Sequence, residues 1–362
     1  MKIALIANDS TYTYNLRKEI IAKLLEDGYE VEVIGEILLF REELLRMGCS
    51  LINVATGRHG TNPFADLLLL ERYYSILRKS KPDIVLTYNI KPNVYGGIAC
   101  SILGIPYYPN ITGLGTAVEN PGKLQAITIQ LYKLGVSKAA CVFFQNSENQ
   151  EFFRKHSMLG KQSRTRLLPG SGVNLEKHKL LHYPKGDIVN FLFVSRILKE
   201  KGIDLYLAAA RKYYSKKIIF HVCGMCDSPE YVDIIKQADV SGTIKYHGQQ
   251  KDIKPFFEMC DCLVHPSWYP EGMSNVLQEA AATGRPIITT NRSGCRELVD
   301  DGKTGYVVSI KDEKALIDAI GKFLKLSDIE KEQMGLAGRK KMEREFDRKI
   351  VVDAYMKELG ES

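Results

Sequence analysis

The strongest constraint on the fold is a repeated alternation of short apolar runs with helical patterns. Ile3–Ala7 reads as a strand, Tyr14–Asp27 as a helix and Glu30–Ile34 as a strand. A helix at Arg41–Met47, a strand at Leu51–Val54, a helix at Pro63–Ser80, a strand at Ile84–Thr87 and a helix at Pro92–Leu103 continue the series. Strands separated by whole helices must pair in parallel, because each crossover returns the chain to the same end of the sheet. After Pro169-Gly-Ser-Gly172 and a polar stretch to Asp187 the alternation starts again. Strand Val189–Ser195, helix Leu205–Tyr214, strand Ile218–Cys223, helix Pro229–Ala238, strand Ile244–His247 and helix Ile253–Cys260 follow one another. Then come strand Cys262–His265, helix Asn275–Thr283 and strands Pro286–Thr290 and Gly305–Val308. From Glu313 the chain reads as helical, with a break near Phe346-Asp347. The expected architecture is α/β, with two doubly wound Rossmann-like domains facing across a cleft and ligand at the carboxyl ends of their strands. The expected boundaries are 1–170 for the first domain, 171–188 for a linker, 189–345 for the second domain, and 346–362 for a terminal helix that packs back on the first.

A chain of 362 residues is long for one core and suits two. No apolar run approaches the roughly 20 residues of a membrane span. The chain opens directly on a strand, so a signal peptide is not expected. The eight cysteines lie mostly in apolar contexts and read as reduced, buried thiols. Cys223-Gly-Met-Cys226 is a CxxC, but no zinc-type spacing accompanies it, and no metal site is expected. The net charge of +7 is uneven, with +5 carried by residues 1–170. That excess fits a phosphate-bearing or membrane-surface partner and is too weak to argue for nucleic acid; ordinary solvated charge explains it equally well.

Two constellations carry chemistry. In Ser267-Trp-Tyr-Pro-Glu271-Gly272-Met273-Ser274-Asn275-Val-Leu-Gln-Glu279, two carboxylates stand eight residues apart. Along a helix that would be roughly 12 Å, too far to share a proton or a small metal but suited to the ends of a long ligand. Ser274-Asn275 are good N-cap residues, so free N–H groups are expected between the two carboxylates. In Phe191-Leu-Phe-Val-Ser-Arg196-Ile-Leu-Lys-Glu-Lys201-Gly202, a buried strand ends in two cations. A planar fork and a point charge at such a place suit a diphosphate, whose departure they would stabilise electrostatically.

In order and spacing these motifs, with Gly248, Asp252-Ile, Pro266-Ser267, Gly284-x-Pro286 and Gly294-x-x-Glu297-Leu-Val…Gly302-x-x-Gly305, resemble the GT-B glycosyltransferases of family 4 along essentially the whole chain. The resemblance implies retaining transfer from a nucleotide sugar, with no cofactor or metal. It implies that Arg196 and Lys201 bind the donor diphosphate, and that Glu271 meets the sugar near the reacting carbon. The turn at Gly272, Met273, Ser274 and Asn275 would hold phosphate or sugar, and Glu279 the ribose hydroxyls. The base would lie near Gly224 and the Tyr246–Gly248 segment, which includes His247. No Asp-x-Asp that would hold a metal is present.

The first half departs from the family's pattern. Asn8-Asp-Ser-Thr-Tyr-Thr-Tyr14 stands where many relatives carry a glycine-rich loop, and Asn8 is a candidate for the donor phosphate or the acceptor. In Asn110-Ile-Thr112-Gly113, Thr112 occupies a place that is histidine in many relatives; a hydroxyl can bond a sugar but is no base near neutral pH. Arg58-His-Gly-Thr-Asn62, Asn89-Ile-Lys91-Pro-Asn93 and the Thr112-Gly113 loop resemble a subgroup that builds bacterial surface polysaccharides on undecaprenyl diphosphate. Arg58 and Lys91 are thus candidates for acceptor phosphate, with plain surface charge as the alternative.

The expected protein is a cytoplasmic glycosyltransferase, peripheral at the inner face of the membrane. It would move a hexose or N-acetylhexosamine from a UDP-sugar donor to a lipid-linked glycan acceptor. The basic, leucine-rich segment Phe64–Lys81 reads first as a core helix with a basic outer face, with contact to a bilayer surface as the alternative. The alternatives are a UDP-N-acetylglucosamine 2-epimerase of similar fold and a non-catalytic nucleotide-sugar or glycan-binding subunit.

Overall fold

The computed structural model describes residues 1–57, 62–115, 118, 119 and 121–360. The chain divides into two compact units. The first holds residues up to Ser171, the short segment Glu271–Met273 and the C-terminal segment from Arg348 on; the second holds Gly172–Pro270 and Ser274–Asp347. The stretch 171–188, expected as a linker, therefore counts from Gly172 on as part of the second unit. Tyr183 anchors it there, donating its hydroxyl hydrogen to the Asp261 carbonyl at 3.1 Å.

The first unit runs β1 (Lys2–Asp9), α1 (Ser10–Glu26), β2 (Glu30–Glu36), α2 (Arg41–Met47), β3 (Ser50–Asn53), α3 (Pro63–Ser80) and β4 (Ile84–Tyr88). After a π-helical turn at Pro92–Gly96 come α4 (Gly97–Leu103), β5 (Tyr107–Ile111), α5 (Lys123–Val136), β6 (Cys141–Phe144), α6 (Ser147–Lys155) and β7 (Arg164–Leu167). The sheet order is β3-β2-β1-β4-β5-β6-β7, all parallel. Side chains alternate across β1: Ala4 and Ile6 join the core on one face, and Ile3, Leu5 and Ala7 the core on the other. Helix α1 begins at Ser10, four residues ahead of the sequence reading, because the Asp9 carboxylate caps it by accepting from Tyr12 N at 2.7 Å. Much of the expected Asn8–Tyr14 loop is thus the first turn of a helix.

The C-terminal helix, Arg348–Gly360, closes one face of this sheet. Tyr355 stacks on Phe143 with ring centroids 4.5 Å apart and donates to Asn110 Oδ1. The buried Glu358 pairs with Arg164 and Arg166 at 2.9 and 2.7 Å.

The second unit runs β8 (Val189–Val194), α7 (Ile203–Lys212), β9 (Ile218–Cys223), α8 (Glu230–Val240), β10 (Lys245–Tyr246), α9 (Lys254–Met259) and β11 (Cys262–His265). It continues with α10 (Asn275–Ala282), β12 (Ile287–Thr290), β13 (Gly305–Val308), α11 (Glu313–Leu324) and α12 (Asp328–Lys341). Its sheet is β10-β9-β8-β11-β12-β13, again all parallel. The terminal helical run carries a break that the sequence reading lacked: Ser327 starts α12 with a reciprocal capping box to Glu330. All eight cysteines are free, and only Cys226 is not buried. Among the described residues no helix is long and apolar enough to cross a membrane. In each unit the strand order reverses once, between β1 and β4 and between β8 and β11, and such switch points open the crevices where doubly wound folds take ligand.

Candidate active site

In the second unit the chain leaves β8 through Ser195-Arg196 beside the switch point. Arg196 Nη1 donates to Asp227 Oδ2 at 2.8 Å, and the guanidinium lies 5.6 Å from the Tyr269 ring centroid. Lys201 sits in a 3-10 turn just before α7, with Nζ 4.7 Å from the same ring. The two cations share one aromatic ring, which attracts both without neutralising either. Lys201 is only 7% exposed. Burial above all, against an opposing influence from Cys295 and with a further push from Arg196, brings its ammonium down to about 8. The charge is held in a poorly solvated place, where it acts on an anion far more strongly than it would in water.

Gly224 follows β9 with φ +152°, and a Cβ there would collide with the Ser195 carbonyl oxygen. Its N–H donates to Gly248 O at 2.8 Å, and Tyr246 donates its hydroxyl hydrogen to Gly224 O at 2.9 Å. The backbone ends of β8, β9 and β10 are therefore knitted together. His247 turns its ring inward: its Nε2 lies 2.9 Å from His221 Nδ1, whose Nε2 lies 3.1 Å from Asn190 Oδ1. Burial lowers both imidazoles, His221 to about 4, so the pair is neutral at pH 7.

Helix α10 starts at Asn275 after Ser274, whose backbone is extended and whose side chain makes no capping bond. Its first-turn N–H groups, with the positive end of the dipole, have no side-chain cap. One turn on, Glu279 lies 3.9 Å from His178 Nε2. His178 in turn is fixed through its carbonyl, which accepts from Arg339 at 2.8 Å.

Glu271, Gly272 and Met273 belong with the first unit, so the two glutamates of the motif fall in different units. Gly272 N–H donates to Thr112 O at 3.1 Å. Asn146 Nδ2 donates to the carbonyls of Glu271 at 3.1 Å and Gly272 at 2.6 Å. Thr112 thus meets the motif through its backbone, and Gly113 follows it with φ +135°.

Of the other residues expected on the acceptor side, Asn8 and Lys91 have partners of their own. Asn8 N–H donates to Asn89 Oδ1 at 3.2 Å, and its carbonyl accepts from Thr56 at 3.4 Å. Lys91, expected to meet phosphate, is 2.9 Å from Asp66 and donates to Gly57 O at 2.8 Å. Tyr95 donates to the other Asp66 oxygen at 2.9 Å. The structure spends the Lys91 charge on a tether between α3 and the segment before it. Arg58 lies outside the described residues.

Four residues of this picture escaped the sequence reading: Asp227, Tyr269, His178 and Asn146. Tyr269 and Asp227 stand next to recognised motifs, but nothing in the spacing says which cation they face. Asn146-Ser147 after an apolar strand has the grammar of a helix cap, and the second use of its amide has no sequence signature.

Two parallel sheets, each with a single reversal of strand order, define a protein of the doubly wound α/β class. Residues 2–146 match the sequence profile of the family described as "Glycosyl transferase 4-like", and residues 176–341 that of "Glycosyl transferases group 1". The chain is a GT-B glycosyltransferase, with a 4-like first half and a group 1 second half.

It is 27% identical, over 99% of its own length and 98% of the relative's, to the N,N'-diacetylbacillosaminyl-diphospho-undecaprenol alpha-1,3-N-acetylgalactosaminyltransferase of Campylobacter jejuni. It is 26% identical over 70% of both chains to the UDP-Gal:alpha-D-GlcNAc-diphosphoundecaprenol alpha-1,3-galactosyltransferase of Escherichia coli. Among solved structures, the Anabaena HepE protein in complex with UDP and glucose matches the fold with a TM-score of 0.80 over 100% of both chains, at 17% identity.

Proposed function

We propose that this glycosyltransferase belongs to family 4. It moves a hexose or N-acetylhexosamine, with retention, from a UDP-sugar to an undecaprenyl-diphosphate-linked glycan in surface polysaccharide synthesis. The observation that carries the reading is the end-to-end similarity to a transferase named for a sugar acceptor on diphospho-undecaprenol. The Escherichia coli relative, named for UDP-Gal and another diphosphoundecaprenol acceptor, supports the same donor and acceptor classes.

In this reading Arg196 and Lys201 hold the donor diphosphate and neutralise the charge that builds as it departs. Glu279 accepts from the ribose, and Glu271 meets the sugar. The acceptor hydroxyl attacks the face the diphosphate leaves. No metal takes part. The base lies beside Gly224 and Gly248, where the backbone rather than the inward-turned His247 ring recognises it.

Peripheral attachment to the inner face of the cytoplasmic membrane belongs to the same proposal. Exposed Phe64, Leu67 and Leu68 on α3, followed by exposed Arg72, Arg78 and Lys79, support it.

The test is release of nucleoside diphosphate from UDP-, GDP- and dTDP-sugars with a lipid-diphosphate glycan acceptor, in EDTA, followed by product mass and anomeric analysis. UDP release with a product of retained configuration is expected. A response confined to GDP-sugars would sink the donor assignment, and turnover of a UDP-sugar without acceptor would favour the epimerase.

A further inference from the structure

We propose that Asn146 is a positioning residue for sugar transfer: its side-chain amide holds the Glu271–Gly272 turn so that the Glu271 carboxylate projects in one fixed direction. The inference rests on the reading of Glu271 as the group that meets the donor sugar.

Asn146 is 2% exposed and follows β6. Both ends of its amide are used. Its Oδ1 accepts from Asn149 N at 2.8 Å and caps α6, which fixes the rotamer. Its Nδ2 then donates to two successive carbonyls, Glu271 O at 3.1 Å and Gly272 O at 2.6 Å.

The third point of attachment is Gly272 N–H, which donates to Thr112 O at 3.1 Å. The seat is tight around Gly272. A Cβ there would collide with Gln145 Oε1 and lie 2.6 Å from Thr112 O. Three hydrogen bonds and one steric stop thus fix the peptide planes on both sides of Gly272. The Glu271 Cα lies in the first of those planes, so the residue that carries the carboxylate is anchored by a seat formed by residues 112, 145 and 146.

Asparagine is the residue type this seat requires. Two carbonyl acceptors need a group with two N–H donors, and the helix start needs an acceptor on the same side chain. Aspartate would cap α6 as well but would turn a carboxylate oxygen toward two carbonyl oxygens. The Asn146→Asp substitution therefore separates the two jobs: it spares the cap and breaks the hold on the turn.

The experiment compares Asn146→Asp, Gly272→Ala and Glu271→Ala with the parent full-length chain. The readouts are kcat and donor KM for transfer, UDP affinity by titration, and the melting temperature. For Asn146→Asp, kcat is expected to fall about tenfold to a hundredfold, the loss that accompanies misplacement of a reacting group by about an ångström. UDP affinity should stay unchanged, because Arg196, Lys201 and Glu279 are untouched. Gly272→Ala should lower kcat to a similar extent without touching the cap, and its kcat decides the matter if Asn146→Asp does not fold. Parent-level transfer by both seat variants beside an inactive Glu271→Ala would overturn the inference alone. Parent-level transfer by Glu271→Ala would overturn the Glu271 reading and the inference with it. Equal losses in kcat, UDP affinity and melting temperature would show a merely structural role and also overturn it.

Discussion

The two units follow one plan, a parallel sheet with a single reversal of strand order, yet they use the polar residues at their strand ends in opposite ways. In the second unit the cations after β8 lie against one aromatic ring, and Arg196 also meets the Asp227 carboxylate. In the first unit the polar side chains after β4 and β5 largely satisfy one another. Thr87 donates to Asn93 Oδ1 at 2.7 Å, Asn93 donates to Asn110 O at 2.7 Å, and Tyr355 donates to Asn110 Oδ1. Lys91 is likewise tied to Asp66. One sheet end gathers two cations about an aromatic ring, the pair proposed to take an anion, and the other turns its polarity into internal architecture. Shared topology therefore does not imply shared recognition.

That contrast can be broken experimentally, and the largest effect is expected at Lys201. Lys201→Ala should lower kcat/KM for transfer about a hundredfold to a thousandfold, the usual cost of removing one preorganised charge-stabilising donor. A loss below threefold in a steady-state assay would show that the poised cations of the second unit are not poised for the donor.

The pH profile gives the same contrast on a smaller scale. Burial holds the Lys201 ammonium at about 8, so the cation proposed to meet the diphosphate is present below that value and is lost as pH rises through it. The alkaline limb of kcat/KM should fall there, and Lys201→Arg should move it upward, because a guanidinium keeps its proton. An unchanged limb in Lys201→Arg would assign it to another group.

For the first unit the expectation is structural. Lys91→Ala should lower unfolding free energy by about 1–2 kcal/mol, since it leaves the Asp66 carboxylate largely shielded with one partner fewer. The acceptor KM should be unchanged. A raised acceptor KM with an unchanged denaturation midpoint would return Lys91 to the acceptor phosphate.

The smallest effect is expected in acid. The folded unit keeps His221 down to about 4, below the ordinary 6.5, so between these values the unfolded chain binds the proton more readily. This contribution is complete above 6.5 and is lost as pH falls toward about 4. His221→Asn should flatten the acid limb of a stability-versus-pH curve; an unaltered limb would place the sensitivity elsewhere.

The fold was legible in the sequence because strands such as Ile84–Thr87 and Cys262–His265 are short, apolar and bounded by breakers. In a doubly wound protein such runs leave few topologies open. Arg196, Lys201, Glu271 and Glu279 were legible as candidates because charged residues beside a buried strand end, or within a Gly/Pro turn, need a reason. What they touch was not legible. Asp227 lies 31 residues from Arg196, and Asn146 125 residues from Glu271. Pattern reading works within a helical turn or a strand, and contacts at such separations depend on how strand ends are brought side by side. The start of α1 was missed for a local reason: an aspartate cap outweighed the weak helix propensity of Ser-Thr-Tyr-Thr.

By itself the sequence determined the repeated βα order, hence two parallel sheets, and the presence of a cation pair and two separated carboxylates. Those follow from hydrophobic periodicity and from the chemistry of residue types, which are local properties. Only the tertiary structure decided what each charge meets. It buried Lys201 beside Tyr269, bound Lys91 to Asp66, and seated the Glu271–Gly272 turn on Asn146. Electrostatics and hydrogen bonding depend on distance and burial in space, and a linear order of residues contains neither.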